Sequence, residues 1–220
     1  MSGQDITFDV NGEPASGYLS LSSREAAPGV IVLHAWWGLN PFFKSLCDRL
    51  AEEGFAAFAP DLNEGKIAKT VEEAKQILSE TESERKQAIV TALPNFMRGR
   101  PEVKKEALSL IGFSMGAAWS LTLASENPED IHNVVLFYGS DAADFPKIKA
   151  DILGHFSDVD EWEPLDGIHA MEADMRTAGL NPNFYIYPNV SHWFFENDRS
   201  EFDPMAADLA WKRTLEFLRQ

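Results

Sequence analysis

The chain has 220 residues, 45% of them hydrophobic and 25% charged, which suits one globular domain with a sizeable core and excludes a disordered, collagen-like or fibrous protein. Nineteen Lys and Arg stand against thirty-five Asp and Glu, a formal charge of -16. Nucleic acid and anionic lipid therefore meet net repulsion, and no basic run offers a local footprint, so neither is an expected partner. The single cysteine, Cys47, rules out an intrachain disulfide. No basic-then-apolar leader follows Met1, and no apolar stretch is long enough for a bilayer, so the expected location is the cytoplasm.

Short β-branched runs alternate with longer segments of helical period, and this predicts an α/β fold with a mainly parallel central sheet and helices on both faces, as a single domain over residues 1–220. The chain opens with a predicted hairpin at the sheet's edge: Ile6 to Val10, an Asn11-Gly12 turn, then Gly17 to Leu21. Val30 to Leu33 reads as a strand covered on both faces. Asn40-Pro41 opens a helix whose Phe43, Leu46, Cys47 and Leu50 share one face, Gly54 ends it, and Phe55 to Phe58 is the next strand.

After a polar loop at 61–66, Thr70 and Glu73 form a capping-box pattern for a helix to about Glu80, and a second helix is expected over 82–97, kinked or stopped at Pro94. Further strands are predicted at Ala107 to Ile111, Asn133 to Phe137, Ala150 to His155 and Phe184 to Tyr187. Helices are expected over 165–178, with Gly179 behind, and from Pro204 to Leu218.

One pentapeptide carries chemistry. Leu108 to Ile111 runs into Gly112-Phe113-Ser114-Met115-Gly116, followed by the small residues Ala117 and Ala118. A Gly-x-Ser-x-Gly motif between an apolar strand and a helix is the pattern of a nucleophile elbow. The turn lifts Ser114 above the sheet, the glycines let strand and helix pass closely, and the Met115 N–H at the helix start faces developing negative charge.

Serine needs a base. Of the five histidines, His34 and His155 end strands, His132 enters one and His169 falls in a predicted helix. Only His192 lies in the loop after the last strand, the place the base takes in this architecture. The acid belongs after a strand end between the two, which points to Asp160, with Asp158 its nearest competitor and Asp141 a weaker one. The spacing of an EF-hand is absent, and the chemistry needs no metal or organic cofactor.

From about residue 28 onward the chain resembles the dienelactone hydrolase family, α/β-hydrolases acting on lactones and simple esters. The resemblance rests on Val30 to Asn40, Gly54 to Leu62, the Ser114 pentapeptide, Gly154 to Pro164, Tyr187 to His192 and Arg213 to Leu218. It implies an ester or lactone substrate, Asp160 as the triad acid, and the Trp36 N–H as the second oxyanion donor beside Met115. The type enzyme has Cys at Ser114 and Glu at Ala35. An Arg that contacts the substrate's carboxylate is here Glu196, which is expected to repel a free carboxylate.

Trp36, Trp37, Trp162, Trp193, Phe194 and Phe195 surround the expected site, with Trp37, Trp193 and Phe194 read as substrate-binding residues for a neutral ester. The expected assembly is a monomer or small homo-oligomer. An amidase or acyltransferase on the same residues, or a ligand-binding protein on this scaffold, remain the alternatives.

Overall fold

The computed structural model describes residues 3–81 and 83–220, the side chains of 106 and 107 apart. Residue 82, the expected start of the second helix in that stretch, and the first two residues of the chain lie outside the described part. The chain divides into two compact units, residues 1–110 and 111–220.

The first unit holds β1 (Gln4–Val10), β2 (Glu13–Ser20), β3 (Ala27–Leu33), α1 (Pro41–Glu52), β4 (Ala56–Pro60), α2 (Val71–Glu80), α3 (Ser83–Arg98) and most of β5 (Val103–Phe113). Its strands lie in the order β1-β2-β4-β3-β5. β1 and β2 are antiparallel, as are β2 and β4, whereas β3 and β4 run parallel. The hairpin is tighter than expected: Val10 pairs with Glu13 directly across Asn11 and Gly12, both at positive φ, so β2 starts at Glu13 rather than Gly17. Pro14 is tolerated because β2 has β4 beside it only from Gly17 onward.

The caps behave as local chemistry dictates. Asn40 accepts from the Phe43 N–H at 3.2 Å with Pro41 behind it, and Thr70 accepts from the Glu73 N–H at 3.2 Å. Pro94 does not stop α3, which continues to Arg98. Leu93, Pro94 and Met97 are all buried, and that burial offsets the lost backbone bond.

The second unit begins with the last three residues of β5 and holds α4 (Met115–Glu126), β6 (Ile131–Phe137), β7 (Asp151–Ser157), α5 (Leu165–Thr177), β8 (Asn183–Tyr187) and α6 (Pro204–Leu218). Its strands follow the order β5-β6-β7-β8, with β6, β7 and β8 mutually parallel. His155 sits inside β7, where its Nδ1 meets the Tyr187 hydroxyl at 2.9 Å and its Nε2 the Thr214 hydroxyl at 3.0 Å, tying α6 to the strands. Burial and the nearby Arg213 push its pKa down to about 3, so it serves as a neutral structural group. Among the described residues no helix is long and apolar enough to cross a membrane.

Candidate active site

Parallel strands deliver their following loops to one edge of a sheet, and in the second unit those loops carry Tyr138 after β6, Asp160 after β7 and His192 after β8. Ser114 follows β5 with φ 50° and ψ -115°, a conformation that costs a non-glycine residue of order 1–3 kcal/mol. Its N–H donates to the Phe137 carbonyl at 2.9 Å, and its carbonyl accepts from the Ala117 N–H at 2.8 Å. A Cβ on Gly112 would collide with the Gly116 carbonyl and the Ser120 hydroxyl, and one on Gly139 with the Ser114 carbonyl. The turn therefore depends on Gly139 as well, a residue outside the pentapeptide.

The Ser114 hydroxyl lies 3.0 Å from His192 Nε2. On the other side of the ring, His192 Nδ1 lies 3.0 Å from Asp160 Oδ1 and 2.9 Å from Oδ2. Asp160 also accepts from the Ser157 hydroxyl and from the N–H groups of Trp162 and Glu163, each at 2.9 Å. Burial pushes its carboxyl up, but the His192 hydrogen bond and charge, with the two backbone amides, hold it below its ordinary value. An anion so held keeps the proton of the imidazole on Nδ1 and leaves Nε2 to accept one.

Asp158, the competing acid, takes a different part. Its Oδ1 accepts from the Asn189 N–H at 2.7 Å, while its own N–H donates to the Tyr187 carbonyl and that of Val159 to Val190. These bonds clamp the loop bearing Asp160 to the loop bearing His192. Asp141 bonds locally to the Ala142 N–H.

The imidazole of His192 packs against Trp193 at 4.8 Å and against Tyr138 at 4.9 Å between ring centroids. Sequence reasoning passed over Tyr138; its place directly after a parallel strand, before a glycine, was the available signal. Phe194, expected to touch substrate, is instead 0% exposed, packed between Tyr138 and Tyr187, and has no surface left for a ligand. Trp193 is largely buried but borders a cavity.

Glu196 also departs from its expected part. It is 0% exposed; Oε1 accepts from the Tyr138 hydroxyl at 2.8 Å, and Oε2 has no hydrogen-bond partner among the described residues. Burial pushes its carboxyl up to about 8, against the pull of the Tyr138 hydrogen bond. It is thus a core group behind Tyr138, and no exposed charge of Glu196 meets a substrate carboxylate.

In the first unit, the Trp36 carbonyl accepts from Asn63 Nδ2 at 3.0 Å, and Trp37 packs edge-on to Trp36 with 2% exposure, so Trp37 too lacks open surface. His34 is buried, its Nε2 accepting from the Leu62 N–H at 3.0 Å and its Nδ1 donating to the Ala35 carbonyl at 2.6 Å. The loop of 61–66, read only as polar, thus braces the stretch from His34 to Trp36. Among the described residues no group of three or more His, Cys, Asp or Glu is placed to hold a metal ion.

Comparison with known proteins agrees with this architecture. A protein of Aquifex pyrophilus named usf is 32% identical over 228 residues, covering 99% of this chain and 98% of that one. A protein of Aquifex aeolicus provisionally named a carboxymethylenebutenolidase is 28% identical, covering 99% and 98%. The fold matches the crystal structure of a provisionally named dienelactone hydrolase from Klebsiella pneumoniae with a TM-score of 0.87 at 22% identity, over the whole of both chains. The model of the dienelactone hydrolase family matches residues 15–220. The chain belongs to the dienelactone hydrolase family of the α/β-hydrolases, with serine at the elbow.

Proposed function

We propose that the chain, acting as one catalytic domain, hydrolyses carboxylic esters or lactones through an acyl-enzyme on Ser114. The observation that carries this reading is the unbroken hydrogen-bonded line from the Ser114 hydroxyl through His192 to Asp160. Ser114 Oγ attacks the ester carbonyl as His192 Nε2 takes its proton, and Asp160 stabilises the imidazolium. The tetrahedral oxyanion is held by the Met115 N–H, first in α4; losing such a donor typically costs about 10²–10³ in rate. His192 then protonates the leaving alcohol, and water attacks the acyl-enzyme by the reverse route.

The test is covalent. A fluorophosphonate should label Ser114 by intact mass, and p-nitrophenyl acetate should give a burst of one nitrophenolate per chain. Ser114→Ala and His192→Ala should each lose on the order of 10⁴–10⁶ in kcat, with the double variant barely worse. Full labelling of Ser114→Ala, or additive losses, would overturn the reading.

A further inference from the structure

Beside His192 the second unit holds a cavity of about 260 Å³ with an unusual wall. Trp162 and Trp193 contribute rings 5.8 Å apart, Val159 adds apolar surface, and Glu161 and Glu201 supply carboxylates. Val159 and Trp162 are 57% and 43% exposed, an apolar surface left open to solvent next to the reacting imidazole. No Lys or Arg lines this cavity. Arg199, two residues before Glu201, is ion-paired with Asp198 at 3.2 Å.

Indole faces and carboxylates share one preference: both attract a poorly hydrated cation and neither offers anything to an anion. The chain's charge of -16 adds attraction at a distance. His192 fixes which part of a substrate comes here. Its Nε2 delivers a proton to the departing oxygen, so a cavity that His192 lines is the nearest space for the leaving alcohol.

We infer that this cavity is a leaving-group subsite for alcohols bearing a quaternary or protonated amine, seated on Trp162 and Trp193 between Glu161 and Glu201. The inference rests on the serine-hydrolase reading for its orientation but not for its binding. The acyl side of the substrate is left to the remainder of the site.

The experiment compares butyrylcholine with 3,3-dimethylbutyl butyrate, its carbon isostere lacking only the charge. The expected kcat/KM ratio is about tenfold in favour of the cation at low salt, which converts to about 1.4 kcal/mol. It should shrink in 0.5 M NaCl and fall toward one in Glu161→Gln/Glu201→Gln. A wild-type ratio at or below one, or a ratio the double variant leaves untouched, overturns the subsite.

Calorimetry with Ser114→Ala separates this from failure of the catalytic reading. Tighter binding of butyrylcholine than of its isostere, with no turnover of either by the wild type, would retain the cation site and sink the hydrolase. Equal binding of the two would sink the site whether or not esters are cleaved.

Discussion

Two carboxylates lie buried near His192, and they reach opposite states. Asp160 is withdrawn from water yet held below its ordinary pKa, because an imidazole, a hydroxyl and two backbone amides all donate to it. Glu196 is enclosed more completely, receives one phenol hydrogen bond and leaves Oε2 unmatched, so its carboxyl is pushed up to about 8. Burial alone does not decide whether a carboxyl is an anion; the supply of donors does. One group is built to keep a charge and the other to avoid one.

The sharpest break in this comparison is Asp160→Asn. An amide presents the wrong hydrogen-bonding pattern to Nδ1, and kcat on a simple ester should fall by about 10⁴, whereas Glu196→Gln assayed at pH 7 should stay within about tenfold of wild type. Comparable losses in the two variants would erase the distinction between them.

The next effect is on stability against pH. The Glu196 carboxyl is raised from 4.5 to about 8, so between those values the folded chain holds a proton that the unfolded chain has released. The stability tied to this group is complete below about pH 4.5 and lost as pH rises through about 8. Urea titrations should show wild type losing on the order of a few kcal/mol across this window, and Glu196→Gln should flatten the decline. Asp160 has the opposite sign: its contribution is present above its ordinary value and lost as pH falls through its depressed one, so Asp160→Asn should blunt the acid limb.

Tyr138→Phe removes the phenol donor to Glu196. A buried acceptor left unmatched costs about 1–3 kcal/mol, which a thermal melt at pH 7 should register as a lower Tm, and the double variant with Glu196→Gln should cost less than the two single losses summed. The smallest effect expected is that of Asp158→Asn. Its bond to the Asn189 N–H braces the histidine loop, and an amide oxygen can still accept there, so kcat should change by less than about fivefold. A loss as large as that of Asp160→Asn would make Asp158 the acid.

Much of this was legible in the residue order. The start of α6 follows from Pro204, and that of α1 from Asn40 and Pro41, because a cap or a proline acts on backbone groups within the first turn. Pro94 does not stop α3 for the converse reason: its penalty is local, while the burial that offsets it comes from packing of the helix. The hairpin was read too short because the apolar pattern marked Gly17 to Leu21, while pairing began at the turn itself.

By itself the order of residues determined the alternating elements, the elbow at Ser114, the loops that carry Asp160 and His192, and the family, all of which depend on patterns within a few residues or on their sequence along the chain. Only the tertiary structure decided that Phe194 is enclosed while Trp162 stays open, and that Glu196 lies behind Tyr138, fifty-eight residues away along the chain, instead of facing a substrate. The physical reason is solvation. Whether a side chain keeps its water, and so its charge or its contact surface, depends on neighbours brought from distant segments.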